Sequence, residues 1–157
     1  MRVAAFILIL LVAIGYALRR GGGPERAMAV IAAFMLLSDQ VLHLLSPPEY
    51  ANLDHGHLAI DVFGAISTVT LALIAYRFWP MIAAALHILP LLAHLSRYLD
   101  IHLHPSAYMI MQVALSWLVP PLLMVATWRH QQRVRRNGND RSWRGSLQQS
   151  NPPIASR

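Results

Sequence analysis

Two pairs of ionisable residues sit one helical turn apart within apolar sequence: Asp39 with His43, and His57 with Asp61. At a spacing of i, i+4 two side chains lie one above the other on a helix face, so each pair presents an imidazole beside a carboxylate. Groups of this kind cost about 2.5 to 3.5 kcal/mol each at the centre of a membrane helix, so they call for a partner and a purpose. His87 and His94, seven apart, again share nearly one face, and Arg97 follows one turn later. Three readings fit these residues. Imidazoles with a carboxylate ligate zinc, which makes His43, His57, Asp61 and His94 the candidate metal ligands. Histidines on facing helices ligate b-type haem, for which His43 and His94 are the candidate pair, and an aspartate with a histidine can bind quinone and carry protons. The third reading is structural, with Asp39, Asp61, His94 and Arg97 acting as interhelical partners. No compact signature such as H-E-x-x-H is present, so the choice among cofactors stays open.

The elements that hold these residues follow from composition. Apolar residues make up 56% of the 157-residue chain and charged residues 13%, against about 25% charged in soluble proteins. Lipid is therefore the main solvent. There is no cysteine, which excludes disulfides, thiolate metal sites, iron–sulfur ligation and thiol nucleophiles. All 13 basic residues are arginine, which removes lysine nucleophiles and Schiff bases and suggests a bacterial genome rich in G and C. The net charge of +6 comes largely from arginines flanking apolar runs, a pattern explained by membrane topology without a nucleic-acid partner.

Five apolar runs stand out: 3–18, 27–45, 58–79, 81–96 and 107–128. A membrane span needs about 20 residues, with about 17 as the lower limit, so the first and fourth runs are short. The reading is an all-α polytopic membrane bundle of five transmembrane helices over 1–130, with a basic tail over 131–157 that is disordered from about Asn137. The first run follows Arg2, but Tyr16-Ala-Leu-Arg-Arg offers no small-x-small cleavage site, so an uncleaved helix is expected.

Placing the C-terminus in the cytoplasm puts eleven arginines inside and leaves Arg2 and Arg97 outside, which predicts an N-out, C-in orientation. Tyr16, Tyr76, Trp79 and Trp128 then fall at the inner boundary, and Tyr50, Tyr98 and Tyr108 near the outer one. Six of the eight histidines (His43, His55, His57, His94, His102 and His104) gather on the outer side. Pro80 marks a tight cytoplasmic turn at a helix start, while Pro90 and Pro120-Pro121 are expected to kink their helices toward the bundle.

Ser38-Asp-Gln-Val-Leu-His43 with Asp61-Val-Phe-Gly64 resembles part of the serine, histidine and aspartate pattern of membrane hydrolases of the ceramidase and adiponectin-receptor group. The chain departs from that group in its five expected spans and in having His87-x6-His94 where the group has a closing HxxxH. Neither zinc nor hydrolysis is therefore carried over from it. Arg77-Phe-Trp-Pro80 through His94-Leu, then Ala107-Tyr108 and Thr127-Trp-Arg-His130 to Ser142-Trp143, resembles small multi-pass inner-membrane proteins of sphingomonad-type alphaproteobacteria. This resemblance covers about the last half of the chain and implies a compartment but no activity. The expectation is an interaction or accessory protein of the bacterial inner membrane that docks on a membrane partner, with anionic lipid bound by the tail. A metal, b-haem or quinone site on the outer face is the alternative, and whether the chain is an enzyme stays open.

Overall fold

The structure, a computed structural model, describes residues 2–45, 55–99, 116–140 and 142–143. Five α-helices appear among them: α1 (Arg2–Arg20), α2 (Gly23–Leu45), α3 (His55–Ile74), α4 (Trp79–Tyr98) and α5 (Val119–Asn137), the last preceded by a 3-10 turn at Ser116–Leu118. No strand occurs among the described residues; a single bridge pairs Ala75 with Trp143.

Four stretches are long and apolar enough to cross a membrane: Arg2–Arg20, Gly23–Leu44, Gly56–Ile74 and Trp79–Ser96. Helical backbone is required there because lipid offers no partner for a free N–H or C=O. The first half of the fifth apolar run, 107–115, lies outside the described residues, as do His102, His104, Tyr50 and Tyr108.

Packing follows membrane rules. Ten of the sixteen buried apolar residues are alanine, including Ala13, Ala17, Ala29, Ala83 and Ala93, while Leu8, Phe34, Leu37, Ile66, Leu73 and Leu95 point outward. Hydrophobicity does not drive helices together in lipid, so small residues that allow close backbone approach take the interior and large ones meet acyl chains. Helix α2 packs against α1, α3 and α5; α5 also meets α1 and α4, and α3 packs most extensively on α4. Buried hydroxyls are satisfied within their own helices, as when Thr68 Oγ1 donates to Gly64 O at 2.7 Å and Thr127 Oγ1 to Leu123 O at 2.9 Å.

The proline positions explain the breaks. The third run stops at Ile74 rather than Trp79, and residues 75–78 connect it to α4, whose second residue is the buried Pro80. In the fifth run an α-helix begins at Val119, with Pro120 and Pro121 in its first turn, where the missing N–H groups are unneeded. Pro90 is buried within α4.

The two short connections, 21–22 and 75–78, lie at one end of the bundle together with the C-terminal part of α5. Arg19, Arg20, Arg26, Arg77, Arg129, Arg133, Arg135 and Arg136 belong to this end. Arg2 and the backbone of Arg97 belong to the other. Where composition reads as disorder beyond Asn137, residues 138–140 and 142–143 fold back on the bundle. Gly138 caps α5 in the left-handed conformation at φ 69°, and Ser142 O accepts a hydrogen bond from Tyr76 N at 3.1 Å. The physical reason is specific pairing: Asp140, the one acid after residue 100, meets Arg77, Arg133 and His130.

Candidate functional site

At the histidine-rich end, α2 finishes where α3 begins, and this brings Asp39, His43 and His57 together. One potential ligand atom of each lies within 4.8 Å of the others. His57 Nε2 is 3.4 Å from Asp39 Oδ1, and His43 Nδ1 is 3.7 Å from the same oxygen. The rings of His43 and His57 meet edge to face with centroids 5.2 Å apart. His43 Nδ1 lies 2.8 Å from the Asp39 carbonyl. A carbonyl only accepts, so Nδ1 carries the proton and the lone pair of the neutral ring sits on Nε2. All three side chains are between one third and one half exposed.

One turn deeper, His94 Nε2 stands 3.1 Å from Asp61 Oδ2, joining α4 to α3. His94 is buried and Asp61 largely so. The four candidate ligands therefore divide: His43 and His57 join Asp39, whereas Asp61 pairs with His94. His43 and His94, the candidate haem ligands, belong to different groups. The side chains of His55 and Arg97 lie outside the described residues.

A cavity of about 220 Å³ inside the bundle links the two groups, its wall including Asp39, His57, Asp61, His87 and Ser116. Asp39 and Asp61 both line this cavity, each beside a histidine, Asp39 remaining 37% exposed and Asp61 24%. Apolar lining comes from Phe6, Leu10, Met35 and Pro90 among others. Close approach at Gly64 shapes one wall: a Cβ there would stand 2.6 Å from Met35 Cε and 2.9 Å from His87 Cδ2. His87 is held by its own helix, Nδ1 donating to Ala83 O at 2.8 Å.

Asp39 was legible as half of a pair but not as a ligand shared with the next helix. Rotation of α2 against α3 decides that, and lipid-facing periodicity fixes rotation poorly. Sequence reasoning also passed over Glu25. It is fully buried in the first turn of α2, where the helix dipole favours an acid, and its Oε1 accepts from Trp79 Nε1 at 3.2 Å. The signal was the acid beside Pro24 at a helix start.

Comparison with protein-family models, with curated proteins and with solved structures found no match, so the reading of this site rests on its own geometry.

Proposed function

We propose that this chain is an accessory protein of the bacterial inner membrane, five-spanning, N-out and C-in, that holds a divalent transition metal at the outer end of its bundle. The observation that carries the reading is the convergence of Asp39, His43 and His57. Tetrahedral zinc with bonds of about 2.0 to 2.2 Å sets its ligands about 3.3 Å apart, and the 3.4 Å between His57 Nε2 and Asp39 Oδ1 matches that spacing. The bond from His43 Nδ1 to a carbonyl is the orienting contact that metal-bound imidazoles use. Three protein ligands leave a fourth position for water or an exchangeable group, and the partial exposure of all three gives an ion a way in.

The orientation is supported by eight arginines at the end bearing the short connections against Arg2 and Arg97 at the other. Behind the metal, the cavity offers further polar groups in His87 and in Asp61, which is paired with His94. The split of His43 from His94 favours metal over a bis-histidine haem.

Zinc titration of the purified, detergent-solubilised chain by calorimetry tests the reading. Saturable binding near one equivalent, lost in His57→Ala and in Asp39→Ala, is expected. Unchanged binding in both variants, or none in the unaltered chain, overturns it.

A further inference from the structure

The arginine-rich end contains a second charged cluster that the metal reading leaves unused. Asp140 folds back after Gly138 so that its carboxylate meets two guanidinium groups and an imidazole. Arg77 Nη2 and Arg133 Nε both donate to Oδ1, the latter at 3.0 Å, and His130 Nδ1 donates to Oδ2 at 2.5 Å. These groups come from three places: the connection between α3 and α4, the C-terminal half of α5, and the segment beyond it. Arg77 and His130 are 13% and 14% exposed and Asp140 only 5%, while Arg133 closes the cluster from a half-buried position at 33%.

One carboxylate does not use all that this cradle offers. Arg77 Nε and Arg133 Nη2 are buried without any hydrogen-bond acceptor among the described residues. A buried N–H without a partner costs about 1 to 3 kcal/mol, so two of them in one cluster mark an arrangement suited to an acceptor richer than Asp140. The nearest further carboxylate is that of buried Glu25, whose Oε2 lies beside the His130 ring at Gly22 and makes no hydrogen bond to either guanidinium among the described residues. A phosphate group supplies the missing acceptors, with up to four acceptor oxygens and as many as two charges, and guanidinium forks are the side chains that best match it. The cradle lies just beyond the C-terminus of α3 and the N-terminus of α4, two helices that contain stretches long and apolar enough to cross a membrane.

We propose that Arg77, His130 and Arg133 form a phosphate-binding cradle, occupied in the resting fold by Asp140 as an intramolecular stand-in. The ligand chemistry is a phosphate monoester, carried by a lipid headgroup of the phosphatidic acid type or by a soluble compound. Binding displaces Asp140 and, with it, Trp143, whose indole rests on Gly23. Gly138 is the pivot that permits both arrangements, because only glycine holds φ 69° without strain. This inference does not depend on the metal site.

Native mass spectrometry of the full chain released from detergent provides the test, with phosphatidic acid and phosphatidylcholine of identical acyl chains offered in parallel. Asp140→Asn removes the stand-in and should raise retention of phosphatidic acid by at least about tenfold, as loss of a tethered competitor does. Adding Arg77→Gln or Arg133→Gln to that variant should abolish the gain, with circular dichroism verifying that the helices persist. Arg135→Gln with Arg136→Gln, which alters exposed arginines outside the cradle, should leave the gain intact. Inorganic phosphate and a soluble phosphate monoester form the second arm; stabilisation of Asp140→Asn by them, without lipid preference, would assign the cradle to a soluble ligand. If Asp140→Asn shows no preference for phosphatidic acid and no response to phosphate, or if the exposed arginine pair abolishes the gain as fully as Arg77→Gln, the cradle proposal is overturned.

Discussion

The imidazole of His94 and the carboxylate of Asp61 meet at 3.1 Å across the α3–α4 interface, inside a bundle whose outer surface is rich in leucine, isoleucine, valine and phenylalanine. The pair binds two helices that are also connected by the short 75–78 segment, so it fixes their rotation where the connection fixes only their proximity.

Removing either partner should therefore loosen α4 on α3. Asp61→Ala and His94→Ala are each expected to cost about 1 to 2 kcal/mol, with a coupling energy of about 0.6 to 1.7 kcal/mol in the double-mutant cycle. Unfolding in mixed micelles gives the values. Strict additivity of the two changes would show that the contact carries no energy.

Glycines 15 and 21 should respond oppositely to alanine. A Cβ at Gly15 meets nothing within 4 Å, so helix propensity alone acts and Gly15→Ala gains up to about 1 kcal/mol. At Gly21 the added atom would stand 2.5 Å from the Ala17 carbonyl oxygen and 2.7 Å from Glu25 Cβ; the backbone must shift, at about 1 to 3 kcal/mol. The same unfolding assay compares them, and equal effects would contradict the tight turn between α1 and α2.

The fold was legible in outline because hydrophobic runs of helix length have few alternatives in lipid. Arg77-Phe-Trp-Pro80 marked the turn into α4, and the spacing of Asp39 and His43 marked a polar face. The partners of that face were not legible. His57 was grouped with Asp61 by its own helix, yet it turns to Asp39 across the interface, because the angle between two apolar-sided helices is set by packing and not by periodicity. The seat of Asp140 was missed for a different reason: composition around residues 137–144 averages to disorder, whereas a single acid among arginines is a specific contact that averaging hides.

The fold-back of Asp140 should be sensitive to acid. Burial opposes ionisation of this carboxyl, but hydrogen bonds from Arg133, His130 and Arg77, with the Arg133 charge, outweigh it and hold the pKa below the ordinary aspartate range. A lowered folded-state pKa means that stabilisation is complete above the unfolded value of about 3.9 and is lost as pH falls through the folded one. Hydrogen exchange of residues 138–143 should thus be unaffected by the Asp140 titration from neutrality down to about pH 4 and rise, after correction for intrinsic rates, only below it. Asp140→Asn should show the raised exchange at neutral pH. Protection that persists in Asp140→Asn would mean that Trp143 and the Tyr76–Ser142 hydrogen bond hold the segment without it.

Orientation can be read by chemistry because the chain contains no cysteine of its own. Val3→Cys and Arg136→Cys place one thiol at each end of the bundle. With a membrane-impermeant maleimide on intact spheroplasts, Val3→Cys should label directly and Arg136→Cys only after permeabilisation. The reverse pattern would put the arginine-rich end outside.

The most direct test of the metal site is the visible spectrum of the chain loaded with cobalt(II) in place of zinc. Ligation by Asp39, His43, His57 and one water in a near-tetrahedral field should give intense d–d bands between about 500 and 650 nm, abolished in His43→Ala and His57→Ala and displaced by added zinc. A weak spectrum indistinguishable from hydrated cobalt, the same in the variants as in the unaltered chain, would contradict the account.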